Sequence, residues 1–229
     1  MNSKVDFDNS IIEVDILNEQ AKRETSSRTN NEKIYYKAII LLLCAKLEKY
    51  VKDSAKEYYT ILLSYNMSAD KWPEKFILEI LENEVNTIKN KGVENYKKDK
   101  NDNFKKNLAL FWNKKHVINE LRDNFSISIS NNGTTEFNSV YKKIGFPEII
   151  NQLDEFEEFS NDEFGVQTKI TIPITDTINK VIYMRHNIIH DDATPQITEK
   201  DVEKYIKVFK SFVKQIDSRM EKELEEIKK

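Results

Sequence analysis

Four glycines and four prolines are all that 229 residues contain. Gly92, Gly133, Gly145 and Gly165, with Pro73, Pro147, Pro173 and Pro195, each fall between periodic segments and never inside one. The residues that most strongly break a helix interior are thus kept to element edges, which leaves room for long helices and few tight turns. Abundant Lys, Glu, Leu and Ile push the same way.

Apolar spacing then sets the elements. A first amphipathic stretch runs from about Asn9 with Ile11, Ile12, Val14, Ile16, Leu17 and Ala21. The longest helix candidate starts at Asn30 or Asn31 and reaches about Tyr65, with Ile34, Tyr35, Ala38, Leu41, Leu42, Ala45, Leu47 and Val51 as its apolar set. Pro73 suits the first turn of another, whose stripe is Phe76, Ile77, Ile80, Leu81, Val85 and Ile88 and whose stop is Gly92. Lys97 to Lys106 reads as a polar loop or frayed helix, and Leu108, Leu110, Phe111, Val117, Ile118 and Leu121 as one or two short helices. NFSISIS, meeting Asn131, Asn132 and Gly133, carries a strand or hairpin signal. A short helix is expected over Glu136 to Ile144, ending at Gly145, and PEIINQLDEFEEF is expected to open another after Pro147. KITIPI suits a second short strand. Ile174 to about His190 reads as helix with Thr175 or Asp176 as cap, and Thr198, with Asp201 three residues on, opens a long amphipathic closing helix. With no repeat and no biased linker, one domain over 1–229 is expected. It would be an all-α bundle with a small irregular or β-containing insertion at about 125–172.

Charge and cysteine narrow the classes. A net charge of −3 gives no global pull on a polyanion, so nucleic acid would need a local patch. Lysines crowd Lys89 to Lys115, near Phe104, Phe111 and Trp112 as stacking groups, and acids crowd Glu148 to Glu163. Such runs are ordinarily solvated faces. The single cysteine, Cys44, lies in the apolar run AIILLLCAKL and reads as a small buried hydrophobe. A lone Cys suits a reducing compartment. MNSKVDFDNS has no signal-like apolar core, and the longest apolar run, Ala38 to Ala45, is far short of a membrane span. A soluble cytoplasmic protein without a membrane partner is expected.

Chemistry concentrates in YMRHNIIHDD, residues 183–192, which holds two of three histidines. The plain account makes Val181, Ile182, Met184, Ile188 and Ile189 core, with Arg185, His186 and His190 solvated. His186 and His190, four apart, have the spacing for a shared metal. The general-base Glu of zinc proteases is missing between them, no Cys is near and His116 is the remaining histidine, so no metal and no cofactor is assigned. Acid–base chemistry on a phosphodiester fits better. Histidine exchanges a proton near neutral pH, and the arginine fork matches phosphoryl oxygens. A base takes the 2′-hydroxyl proton, a cation holds the charge growing at phosphorus, and an acid protonates the leaving 5′-oxygen. Arg185 and His190 lie about 140° apart around an ideal helix. Either the helix ends or distorts between them, or a second copy completes the site.

Arg185-His186-Asn187-Ile188-Ile189-His190 resembles the motif of the HEPN superfamily, an arginine and a histidine separated by four to six residues, with a polar residue after the Arg. LLLCAKLEKYVKD and FNSVYKKIGF, upstream, are similar to the layout of MAE-type HEPN-like nucleases, relatives of the RiboL-PSP group. The resemblance implies a helical bundle acting as a metal-independent endoribonuclease on RNA, commonly a homodimer and a toxin or phage-defence effector with an antitoxin or defence-system partner. By motif, Arg185 and His190 would be catalytic, His186 and Asn187 supporting or substrate-binding. Asp191 and Asp192 depart from the small residue and Gly that many members carry after the His. Two carboxylates there would repel phosphate, yet raise the basicity of the histidine. The competing expectation is a non-catalytic HEPN module binding a partner protein or nucleotide through the acidic 148–163 run. A plain helical adaptor is the third.

Overall fold

The computed structural model describes residues 1–27, 31–91, 129, 133–161 and 167–228. Helix α1 (Asn2–Ser10) passes into α2 (Ile12–Ser27) through Ile11, which is itself in right-handed helical conformation. After it come α3 (Glu32–Ser64), a 3-10 turn at Ala69–Lys71 and α4 (Glu74–Lys91). Helix α5 (Thr134–Lys142) leads through a 3-10 turn at Ile149–Gln152 into strands β1 (Phe156–Asn161) and β2 (Gln167–Ile172). The strands pair antiparallel, from Phe156 opposite Ile172 to Asn161 opposite Gln167. Helices α6 (Ile174–Asp191) and α7 (Glu199–Ile227) close the chain. The fold is all-α with one small two-stranded sheet.

Helix α3 is the hub, packing on α1, α2, α5, α6 and α7. Its span matches the periodicity, and Leu47 and Val51 are buried as expected, but the turns before them face otherwise. Ile34 is 67% exposed, Ala45 is exposed, and Ala38, Leu41 and Leu42 are half-buried, whereas Tyr36, Ile39, Ile40, Leu43 and Cys44 are buried. AIILLLCA is apolar for two full turns, so spacing within it fits more than one face. Groups further along decide the rotation. Tyr50 Oη donates to the Val213 carbonyl of α7 at 3.2 Å, and the Ser54 and Tyr141 hydroxyls share a 3.0 Å hydrogen bond that ties α3 to α5. A buried hydroxyl without such a partner would cost about 1–3 kcal/mol, enough to fix which side faces in.

Helix α2 turns in the same way. Ile11, Val14 and Ala21 are buried, while Ile12 and Ile16 stand out, each 56% exposed. The first set recurs with Asn18 on one face, which puts the second set opposite. Pro73 stands just before α4, where its carbonyl accepts the Phe76 and Ile77 amides. Phe76 is buried, Ile77 and Leu81 half-buried, and Val85 exposed.

Two expectations near the sheet are corrected. PEIINQLDEFEEF forms no α-helix beyond the 3-10 turn: Glu148 is left-handed at φ 58°, and Phe156 onward becomes β1. The spacing of Ile149, Ile150, Leu153 and Phe156 suits helix and buried turn alike, and pairing with the KITIPI strand settles it. The cap of α6 is Pro173, not Thr175 or Asp176; its carbonyl accepts the Thr177 amide at 3.2 Å and the Thr177 hydroxyl at 2.8 Å. The closing helix begins as expected. The Thr198 hydroxyl accepts the Asp201 amide, and the Asp201 carboxylate accepts the Thr198 amide at 2.8 Å, a full capping box. Of NFSISIS only Ile129 is described, half-buried and outside any strand. Gly92, Lys97 to Lys106, Leu108 to Leu121, Phe104, Phe111, Trp112, His116, Asn131, Asn132 and Gly165 lie outside the described residues.

Gly133, ahead of α5, adopts φ 67° and ψ −147°, close to a region that essentially only glycine occupies. A Cβ there would sit 2.6 Å from Asn179 Oδ1, the oxygen that accepts the Thr134 amide at 3.0 Å and so joins α5 to α6. Gly→Ala ordinarily stabilises by about 0.4–1 kcal/mol when the backbone allows it. Here Gly133→Ala is expected to destabilise by about 1–3 kcal/mol, read as a lowered urea midpoint; an unchanged or raised midpoint contradicts the assignment.

Candidate functional site

Helix α6 divides cleanly around its axis. Ile174, Thr177, Ile178, Val181, Ile182 and Ile188 are buried. At about 100° per residue, Arg185 projects among this inward set, whereas Tyr183, Asn187 and His190 fall on the opposite side with His186 beside them. The exposures agree: Tyr183, His186 and His190 are exposed, Arg185 and Asn187 intermediate. The helix runs without a break to Asp191. An end or distortion between Arg185 and His190 is therefore excluded, and the two side chains leave one straight helix from different faces.

Arg185 Nη1 meets Glu48 Oε1 of α3 at 3.0 Å, with side chains 20% and 17% exposed. Burial pushes the Glu48 carboxyl above the ordinary range; Arg185 and Lys52 pull it back only in part, and Glu136 adds to the rise. Glu48 was missed in the sequence because 137 residues separate it from Arg185 and it looks like any Glu of a charged helix. Its one signal was that it follows the most apolar run of the chain. Cys44, one turn before Glu48, is buried, which pushes its thiol up to about 12 and keeps it protonated. It packs as a small hydrophobe, as expected.

Beyond His190 the helix end is tied down. Asp192 is left-handed at φ 49°, and the amides of Asp192 and Ala193 both point to the Asn187 carbonyl. Lys37 Nζ of α3 donates to the Asp192 carbonyl at 2.9 Å and to its carboxylate at 2.6 Å. That hydrogen bond and the lysine charge hold the Asp192 carboxyl below its usual range. One of the two carboxylates that would repel a phosphate thus already has a counter-charge. Glu48 with Arg185 and Lys37 with Asp192 also show that α3 and α6 run antiparallel.

His186 and His190 are brought together, ring centroids 4.3 Å apart with planes at 45°. The acidic run supplies no bare patch at β1: Glu157 pairs with Lys169 at 2.6 Å and Glu158 with Lys207 of α7. Of the basic run, only Lys89 and Lys91 belong to the described residues. Among the described residues, no helix is long and apolar enough to cross a membrane.

The all-α bundle with its small two-stranded sheet agrees with a HEPN fold. The family model for RiboL-PSP-HEPN matches residues 8–222, and the chain belongs to that family. No curated protein and no solved structure matches it.

The Arg185–Glu48 pair leads to a stability prediction. A carboxyl whose pKa is raised by folding binds its proton more tightly in the folded chain, so stability falls as pH rises through that window. Above the ordinary glutamate range the ionised Glu48 therefore costs stability, as for buried pairs whose desolvation outweighs their attraction. Glu48→Gln cannot ionise. Its urea midpoint is expected to equal or exceed the parent's at pH 7 and to converge with it toward acid pH. A lower midpoint at pH 7 would show that Arg185 returns more than burial takes.

Proposed function

We propose that the protein is a metal-independent endoribonuclease, with Arg185 and His190 as its catalytic residues. The observation that carries this is that α6 holds both histidines in solvent within five residues of Arg185, which Glu48 anchors. His190 takes the proton from a 2′-hydroxyl, whose oxygen attacks phosphorus while the bond to the 5′-oxygen breaks. The products are a 2′,3′-cyclic phosphate and a 5′-hydroxyl, the latter protonated by a second imidazole. Arg185 offsets the charge that grows on the phosphoryl oxygens. His186 and Asn187, flanking His190 on the outer face, contact or orient the substrate.

Because Arg185 and His190 leave different faces, one copy does not enclose a phosphodiester. A homodimer formed on the outer face of α6 would supply the missing groups, and exposed Tyr183 there, 65% accessible, supports such a contact. In the cell this activity suits a cytoplasmic toxin or phage-defence effector held in check by an antitoxin or defence-system partner.

The test is cleavage of single-stranded RNA by purified protein in the presence of chelator. The expected result is RNA cut to cyclic-phosphate ends and DNA of the same sequence left intact, since it lacks the attacking hydroxyl. His190→Ala and Arg185→Ala should each lose about 10²–10⁴-fold in rate. Expression of the parent, and not of His190→Ala, should arrest growth. Equal cleavage by His190→Ala would overturn the assignment, and no cleavage with retained binding of a partner would favour the non-catalytic module.

A further inference from the structure

The two imidazoles of α6 have a property that RNA cleavage does not need. Four residues along a helix return a side chain to the same face one turn up, about 6 Å along the axis. His186 and His190 use that relation to bring their rings within 4.3 Å of each other in open solvent. Among the described residues neither ring has a hydrogen bond or an ion pair, so each has a nitrogen to offer. Two imidazoles on one tetrahedral ion, with metal–nitrogen distances of about 2.0–2.1 Å, have centroids about 5 Å apart. Small side-chain rotations separate the observed arrangement from that one.

The backbone beneath the pair is already fixed. The Asn187 carbonyl, between the two histidines, takes the Asp192 and Ala193 amides, and Lys37 clamps Asp192 from α3. A turn held this way loses little freedom when its side chains are captured, which favours chelation.

We propose that His186 and His190 form a bidentate clamp for a divalent first-row transition ion, zinc or copper, and that its occupation silences the nuclease by withdrawing His190 from proton transfer. The binding stands on the geometry; the silencing rests on the function proposed above. No group of three or more His, Cys, Asp or Glu side chains converges among the described residues, so among them the clamp is the histidine pair alone. A two-nitrogen site selects by ligand type: imidazole suits copper and zinc, while magnesium and calcium require oxygen ligands. Metal-independent cleavage and metal-inhibited cleavage are compatible here, because the ion takes the imidazoles as ligands and contributes nothing to the reaction.

The experiment uses the full chain without a histidine tag, freed of metal and titrated calorimetrically with zinc chloride. One zinc per chain is expected, with no heat from magnesium chloride. His186→Ala and His190→Ala should each lose the isotherm, while His116→Ala keeps it. Circular dichroism of the variants controls for folding, which exposed histidines should not disturb. Zinc binding by His186→Ala equal to the parent's, loss of binding in His116→Ala, or no binding by the parent overturns the clamp. In the cleavage assay zinc should abolish the parent's activity and excess chelator restore it. Cleavage that zinc leaves unchanged, despite a bound ion, overturns the silencing. A chain that binds zinc and cuts no RNA under any condition overturns the nuclease and leaves the clamp standing.

Discussion

A helix enclosed by five neighbours can carry a charge on its inner side only where another element brings the opposite one. Helix α3 is in that position, and Glu48 is that charge. The other helices can be described by how they cover its apolar surface, but α6 must also be aligned so that Arg185 arrives at the carboxylate. Eleven residues earlier on α3, Lys37 does the same for Asp192. Two ion pairs about three turns apart on α3 join α6 to it at two levels, beside the packing of Ile178, Val181 and Ile182.

The raised Glu48 carboxyl gives this pair its meaning. The guanidinium by itself would draw the carboxyl below its ordinary range, as Lys37 does for the exposed Asp192. Burial prevails instead. Glu48 sets the direction of the Arg185 side chain.

Much of this architecture was legible in the residues, and the rest was illegible for identifiable reasons. Glycine and proline at the edges, the long apolar period of α3 and the Thr198–Asp201 box each act over a few neighbours, so a local pattern suffices to find them. The rotation of α3 was not local. Eight apolar residues in a row leave the inward face undetermined, and Tyr50 and Ser54 fix it through partners on α7 and α5. PEIINQLDEFEEF misled because its apolar spacing serves a helix or a turn with a strand equally well, and its strand needs a partner across the intervening segment. At the site, the motif residues could be named from their order. Glu48 and Lys37 could not, since nothing short of the fold connects them to residues 185 and 192.

The straightness of α6 through Asp191 narrows how the site can act. An inward guanidinium and an outward imidazole on one unbroken helix do not converge on a single phosphorus atom by bending the backbone. For the proposed cleavage, two routes remain for a phosphodiester to meet both. Arg185 can exchange Glu48 for the phosphate, swinging its long side chain toward solvent. Alternatively, a second copy can lay its own α6 across the first, so that each lends the other the face it lacks. The first route leaves a half-buried Glu48 carboxylate without the guanidinium that draws its pKa down, so the phosphate must offset that lost attraction. The second covers Tyr183, which water otherwise wets. The routes are not exclusive: burying the outer face would also lower the dielectric around the imidazoles and strengthen the pull of a phosphate on Arg185.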